Sequence, residues 1–336
     1  MRAAAWNDDN TLDIIDLPRP VPAAGEALVR VTSAGICGSD LHFYRGQFRG
    51  IPGMVPGHEI AGVVESGEGF APGTPVAVQP TIPCGACPAC RRGQTPVCPD
   101  LGMLGISRPG GLQEYIAVPA ANVFPLPAGL PPSAGTLAEP LAVAVRALNR
   151  AASEPGSRVL VLGAGAIGLV SLLVAGETAA EVAITARYPH QHLMALSLGA
   201  SAVHVPGSPE LRAWARTNPI DLVIETVGGN ADTLAEAVSV VRPGGAVVAL
   251  GLFTADVPVS ARKIVNQEVR LIGSVLYGHE SGGSEFGDAV AMLERHARKL
   301  MELQTHSFPL DQANEAFARA LDKRMGPIKV SIEVSS

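Results

Sequence analysis

A chain of 336 residues, 47% hydrophobic and 17% charged, has room for about two domains at roughly 150 residues each, and it is too apolar to stay disordered. Its 25 Lys and Arg stand against 31 Asp and Glu, a net charge of −6 with no basic block, which argues against a nucleic-acid partner. Four of its five cysteines crowd between Cys84 and Cys98, and the N-terminus turns acidic at Asp8 without an apolar run. A disulfide-built secreted scaffold and a signal peptide are therefore not expected, and the chain reads as cytoplasmic.

Up to about residue 140 the apolar pattern mostly alternates, in short runs bounded by Gly and Pro, as at 26–31, 59–64, 75–78 and 114–118. Such spacing predicts an antiparallel, partly barrel-like β domain. The stretch 83–102, PCGACPACRRGQTPVCPDLG, shows no period and reads as a long structureless loop. A loop of that length inside a compact domain needs a tether or a function.

From about Pro140 the pattern changes. Apolar strands at 158–162, 181–185, 201–205, 221–225, 246–250 and 269–274 alternate with helical stretches. Right-handed βαβ units and a doubly wound parallel sheet follow. The uncharged run 159–176 reaches the lower length limit of a membrane span. Gly163, Gly165 and Gly168 interrupt it, so a buried strand–turn–helix is the better reading, with no membrane partner. After Tyr277, amphipathic helices around 286–300 and 311–321 precede a final IKVSIEV strand. This tail is expected to return to the first domain, which makes the second domain an insertion.

Gly163-Ala164-Gly165-Ala166-Ile167-Gly168 lies directly after the strand RVLVL and opens a helix. The first glycine suits a tight turn, the second a close backbone approach to a pyrophosphate, the third close helix–strand packing. A phosphate would then rest on the helix N-terminus, where free N–H groups and the dipole favour an anion. At the end of the next strand, where a fold that prefers NAD places an acidic residue for the ribose hydroxyls, this chain has Ala186, then Arg187, Tyr188, His190 and Gln191. A missing carboxylate removes repulsion toward a 2′-phosphate, and a guanidinium can grip one bidentately. That pattern favours NADP over NAD, the alternative being that Arg187 is an ordinary surface residue.

Cys84-x2-Cys87-x2-Cys90-x7-Cys98 places four thiols within one loop. A closed tetrahedral shell of thiolates is a structural zinc site. An iron–sulfur cluster or two disulfides are the alternatives. A second, dispersed set comprises Cys37-Gly-Ser39-Asp40-Leu-His42, Gly57-His58-Glu59 and Glu139-Pro140. Alone, each piece would be a buried cysteine, a core histidine or a helix-start glutamate. Together they offer thiolate, imidazole and carboxylate donors for an open, catalytic zinc.

The segments GICGSDLH (35–42), PGHE (56–59), the four-cysteine loop, AEPLAV (138–143) and GAGAIG (163–168) resemble the zinc-dependent medium-chain dehydrogenase/reductase family, nearest its polyol and threonine dehydrogenase branch. The similarity continues through ETVGG (225–229), VRPGGAVVALG (241–251), IGSVLY (272–277) and SFPLDQANEAF (307–317). The resemblance implies an α/β fold: a GroES-like β catalytic domain (1–141 plus 278–336) around an inserted Rossmann domain (142–277), with the catalytic zinc in the cleft between them.

It implies Cys37 and His58 as ligands of that zinc, with Glu59 or Glu139 as a further ligand or as the anchor of a bound water. Ser39 corresponds to the hydroxyl that takes the substrate proton, His42 to the relay toward solvent, and Asp40 to the carboxylate that orients the ligand histidine. Val227, Leu250, Gly251, Ser274 and Val275 correspond to cofactor-lining positions. The chain departs from polyol dehydrogenases in carrying Phe43 and then Tyr44 after His42, and in lacking the acidic cofactor residue.

The expectation is an oxidoreductase with two zinc ions per chain that moves a hydride between NADP(H) and a secondary alcohol, polyol or sugar-derived ketone, as a homodimer or homotetramer. An NAD-dependent threonine- or amino-polyol-type enzyme is the alternative. The Cys37, His58 and Glu139 set speaks against a zinc-free quinone or enoyl reductase, and no basic segment supports a non-catalytic binding protein.

Overall fold

The computed structural model describes residues 1–279 and 283–335. The chain divides into two compact units, Met1–Ala142 with Tyr277–Ser336, and Val143–Leu276. No helix among the described residues is long and apolar enough to cross a membrane.

The first unit opens with β1 (Arg2–Trp6) and β2 (Leu12–Asp16), a small antiparallel pair. β3 (Glu26–Gly35) leads into a short helix α1 (Gly38–Tyr44), followed by β4 (Glu59–Ser66) and β5 (Pro75–Val78). The two-residue strands β6 (Thr81–Ile82) and β7 (Gly102–Met103) pair with each other and bracket the cysteine-rich segment. That segment is not structureless: it contains a one-turn helix α2 (Pro88–Arg91), with Cys87 as its N-cap. β8 (Tyr115–Pro119) and β9 (Val123–Pro125) complete the first pass.

After α3 (Ala138–Ala151), within which the chain passes into the second unit, comes β10 (Arg158–Leu162) and its helix α4 (Ala166–Ala175). β11 (Glu181–Thr185), α5 (Pro189–Leu198), β12 (Ala202–His204) and α6 (Pro209–Thr217) follow. Next are β13 (Ile220–Glu225), α7 (Thr233–Val240), β14 (Val241–Ala249), α8 (Ala261–Asn266) and β15 (Arg270–Gly273). The chain re-enters the first unit at Tyr277 with α9 (Glu285–Met301), β16 (Gln304–Pro309), α10 (Ala313–Leu321) and β17 (Lys329–Glu333).

The second unit is a six-stranded parallel sheet ordered β12-β11-β10-β13-β14-β15. This is the doubly wound arrangement, with its order reversing between β10 and β13. Strands buried on both faces carry unbroken apolar stretches, as Val159–Leu162 in β10 and Leu222–Ile224 in β13 do. Leu160, Leu162, Val223 and Val247 form their common core with Leu211, Ala237 and Val238 from the helices.

The first unit is a seven-stranded sheet, β16-β17-β3-β4-β5-β9 with β8 also on β3. β17 joins it by pairing antiparallel with β3, Ile332 opposite Ala34. Its core holds Trp6, Val29, Ile60, Leu112 and Phe317. The Phe317 ring meets Trp6 edge-on at 5.7 Å. Burying a side chain of this size contributes about 1.5–3 kcal/mol, so the C-terminal helix α10 is a structural part of this unit.

Candidate functional site

β3 ends at Gly35, and Cys37 forms the N-cap of α1. Asp40 Oδ2 accepts from the Cys37 N–H at 2.9 Å, which satisfies one of the donors a helix start leaves free. Three residues apart on α1, Ser39 and His42 lie on one face. At the head of β4, His58 turns its Nε2 to the Ser39 hydroxyl (3.4 Å) and its Nδ1 to Asp40 Oδ1 (3.5 Å). The ligand atoms of Cys37, His58 and Glu59 all lie within 4.8 Å of one another.

His58 and Glu59 are buried, so their state is set by neighbours. Burial pushes the His58 imidazole down, but Asp40 and Cys37 together hold it well above its ordinary value. Glu59 is held by a residue 270 positions away: Lys329, on β17, donates to both carboxylate oxygens at 2.5 and 2.6 Å and to the Ile36 carbonyl at 3.3 Å. Gly35 leaves the room this carboxylate needs, since a Cβ there would come within 2.0 Å of Glu59 Oε2.

Glu139, in the first turn of α3, falls outside the tight ligand trio. Burial pushes its carboxyl up to about 7, His58 and Lys329 pulling against Glu59 and Asp40. The buried Tyr277 hydroxyl is raised well above its usual range, by burial and by Glu139. His42 sits at the rim, its Nδ1 2.5 Å from Gln47 Oε1. With a carboxamide oxygen facing Nδ1, the satisfied tautomer carries its proton there and keeps Nε2 as acceptor.

The four-cysteine loop closes on itself. Cys84, Cys87, Cys90 and Cys98 are free thiols whose sulfurs also lie within 4.8 Å of one another. Main-chain N–H groups point inward at them: Cys87 N–H to Cys84 Sγ and Cys90 N–H to Cys87 Sγ, both 3.4 Å. Cys84 Sγ and Cys90 Sγ are 3.9 Å apart, close to the roughly 3.8 Å edge of a tetrahedron with 2.3 Å metal–sulfur bonds. N–H donation from Ala86 and Cys87 draws the Cys84 thiol down to about 7, whereas desolvation and the Cys87 thiol push Cys90 up to about 12. Both donor sets fit zinc: one is all thiolate and closed, the other mixed and acceptor-rich.

In the second unit, Gly163 takes φ +101°, a conformation that favours glycine, and a Cβ on Gly168 would lie 1.8 Å from the Gly163 carbonyl. Gly165, the N-cap of α4, has open space where its side chain would be, and Ala166 and Ile167 supply the first helical N–H groups. A backbone cradle of this shape fits a pyrophosphate.

At the end of β11, Ala186 is buried and Arg187 exposed. Gln191 Oε1 accepts from the Arg187 and Tyr188 N–H groups (3.3 and 3.4 Å), and the Tyr188 and His190 rings stack 5.6 Å apart. Val227 and Val275 are exposed, Leu250 and Gly251 half-buried, and Ser274 is buried with its N–H on the Ala249 carbonyl at 3.0 Å.

The first unit thus brings Cys37, Ser39, Asp40, His58 and Glu59 together with Glu139 nearby, and the second gathers the glycine turn and the ends of its strands. Lys329, Gln47, Tyr277 and Glu225 escaped sequence reasoning. Glu225 and Tyr277 fall inside the segments ETVGG and IGSVLY without being singled out, and Lys329 is the one cation of the strand IKVSIEV, whose other charged residue is Glu333.

Residues 23–128 match the alcohol dehydrogenase GroES-like domain, and residues 132–334 the glucose dehydrogenase C-terminus. The L-galactonate-5-dehydrogenase of Escherichia coli (strain K12) is 32% identical over 316 residues, covering 89% of each chain. A zinc-binding dehydrogenase from Sinorhizobium meliloti 1021, solved bound to NADP, superposes with TM-score 0.91 at 28% identity, covering 99% of this chain and 98% of that one. Galactitol-1-phosphate dehydrogenase from Escherichia coli gives 0.90 at 27%, covering 99% and 100%.

Proposed function

Because the chain belongs to the zinc-type medium-chain alcohol and polyol dehydrogenase family, we propose that it interconverts a secondary alcohol of a polyol or sugar acid and the corresponding ketone, with NADP(H) as hydride carrier. The observation that carries this reading is the convergence of Cys37, His58 and Glu59 beside the Ser39 hydroxyl. Similarity to an L-galactonate dehydrogenase and a galactitol-1-phosphate dehydrogenase supports a polyhydroxylated substrate.

Cys37 and His58 would hold the catalytic zinc, with Glu59 or Glu139 as the carboxylate partner, and Cys84, Cys87, Cys90 and Cys98 a second, structural ion. Zinc in the first site supplies the Lewis acidity that makes an alcohol acidic near neutral pH. Asp40 orients His58 through Nδ1. Ser39 would take the alcohol proton as it gives its own to His42, whose Nε2 the Gln47 contact leaves as the acceptor, and His42 would release that proton to solvent. Lys329 holds the Glu59 carboxylate through both oxygens, so any role for Glu59 on the metal is in competition with Lys329.

In the second unit a dinucleotide would lie across the ends of the strands, as in other doubly wound sheets. The cradle at Gly163–Gly168 takes the pyrophosphate. Arg187, at the end of β11, takes the adenosine ribose side, with no carboxylate to repel a 2′-phosphate. On the opposite side of the reversal, the ends of β13 and β14 are left for the nicotinamide.

The test is metal content together with cofactor kinetics. Purified protein should contain two zinc ions per chain and oxidise polyols or sugar acids with kcat/KM at least about tenfold higher for NADP than for NAD. One ion or none, or a preference for NAD, refutes the corresponding part.

A further inference from the structure

Glu225 ends β13 beside the reversal of strand order, and the reading above leaves its charge unused. It is fully buried. Its Oε1 accepts three hydrogen bonds, from the Val227 N–H (2.8 Å), the Gly228 N–H (3.0 Å) and the Thr233 hydroxyl (2.7 Å). Its Oε2 is equally buried and makes no hydrogen bond, and among the described residues Glu225 enters no ion pair. Gly251 packs against that second oxygen so closely that a Cβ would sit 2.4 Å from it. The Glu225 carbonyl also accepts from the Leu250 N–H (2.8 Å) and the Gly251 N–H (3.2 Å). One residue thereby ties the 226–229 turn to the end of β14.

Fixing the turn does not require a charge. A glutamine could offer the same three bonds from its carbonyl oxygen without burying an anion that lacks a cation. An unmatched buried carboxylate is destabilising, so what the glutamate adds beyond the bonds is a negative potential at the strand ends. The nicotinamide ring is the part of a dinucleotide whose charge changes in the reaction: cationic when oxidised, neutral once it has accepted a hydride.

Resting on the dinucleotide reading above, we propose that Glu225 is a tuning residue: its buried carboxylate, set beneath the Val227–Gly229 turn and Gly251, favours the cationic oxidised nicotinamide over the neutral reduced one. It touches no reacting atom. It acts through the field across one layer of backbone, where a charge is poorly screened.

The experiment measures dissociation constants of the full chain for NADP+, NADPH and 2′-phospho-ADP-ribose, which lacks only the nicotinamide. Glu225→Gln should weaken NADP+ relative to NADPH by about three- to tenfold, as expected for one charge acting over several ångströms, and leave the ring-less fragment unchanged. Equal weakening of NADP+ and NADPH would reduce Glu225 to a support of the turn and overturn the proposal. Weakening of all three ligands would overturn it as well, by assigning the residue to the sheet as a whole.

Glu225→Asp keeps the charge and shortens the reach. Its NADP+ to NADPH ratio should stay within about twofold of the parent even where both bind less well. A ratio shift in the Asp variant would overturn the proposal even if the Gln variant failed to fold. A parent protein that binds none of the three ligands would instead refute the dinucleotide reading itself.

Discussion

The two cysteine-containing sites of the first unit solve the same problem by opposite means. The loop of Cys84, Cys87, Cys90 and Cys98 draws every donor from fifteen consecutive residues and organises its sulfurs with its own N–H groups. The Cys37, His58 and Glu59 site draws its donors from α1 and β4, buries two of them completely, and depends on Lys329 from the far end of the chain. As the closed zinc site proposed above, the first would need little from the surrounding fold and would return stability to it. The second is held in place by the fold, which on the same reading would leave its geometry free for chemistry.

The largest expected effect breaks that contrast if it is wrong. Cys37→Ser should lower turnover by about three orders of magnitude or more, the value of several kcal/mol of charge stabilisation lost when an open metal site fails. Its melting temperature should barely move. Cys98→Ser should lower melting by at least about 5 °C, because a closed site contributes folding free energy, while retaining turnover at low temperature. Metal analysis should find one zinc lost in each variant. Reversed phenotypes would mean that the open and closed roles have been exchanged.

The dependence on Lys329 sharpens the comparison from the stability side. Removing one partner of a buried ion pair leaves an uncompensated charge, at a cost of about 3–5 kcal/mol. Lys329→Met should therefore destabilise the protein by that order in denaturant titration. Adding Glu59→Gln should recover most of the loss, since replacing both partners removes the stranded anion. No comparable long-range rescue should exist for the four-cysteine loop. A Lys329→Met protein as stable as the parent would show that the pair contributes no net stability.

These differences also explain what was legible from residues alone. The βαβ rhythm of the second unit was plain because doubly buried strands such as β10 are apolar from Val159 to Leu162 and the glycine turn follows at once. The thiol loop was plain because its spacing is local. By contrast, β14 begins at Val241, in a Pro-Gly-Gly stretch that reads as a turn, because its pairing with β13 shifts register near Ile220. Lys329 and Glu225 were silent for a different reason. A buried charge is recognised by what surrounds it, and for Lys329 that partner lies 270 residues away. The open metal site was readable only as scattered pieces, for the same reason.

Within the open site, the proton path offers a finer discrimination. Ser39→Ala should cost about a hundredfold in kcat, at the lower end for loss of a positioned proton-transfer group. His42→Ala should cost less, because His42 lies toward the rim and water can stand in for it. Gln47→Ala should fall below His42→Ala, since it removes only the group that sets the tautomer. Solvent isotope effects and pH–rate profiles for the three variants would check the order. An unchanged kcat for Ser39→Ala, in an assay limited by chemistry, would remove the relay from the mechanism.

The smallest effect carries the contrast between local and fold-supported recognition into the second unit. Arg187 is exposed and sits beside the buried Ala186, on a backbone whose N–H groups at 187 and 188 are already taken by Gln191 Oε1. Recognition of a 2′-phosphate there falls to the side chain rather than to the peptide. A charge-assisted bidentate contact contributes roughly 1.5–3 kcal/mol, about 10- to 150-fold in affinity, and an exposed site should give the lower end. Arg187→Ala should thus weaken NADP about tenfold while leaving NAD nearly untouched. Ala186→Asp should invert the preference, since a carboxylate repels the phosphate and accepts from the ribose hydroxyls. Gln191→Ala separates the two kinds of support: it frees both N–H groups, and if the guanidinium alone reads the phosphate, the NADP to NAD ratio should stay close to that of the parent. Should Arg187→Ala weaken both cofactors alike, the guanidinium stabilises the strand end instead of selecting the phosphate.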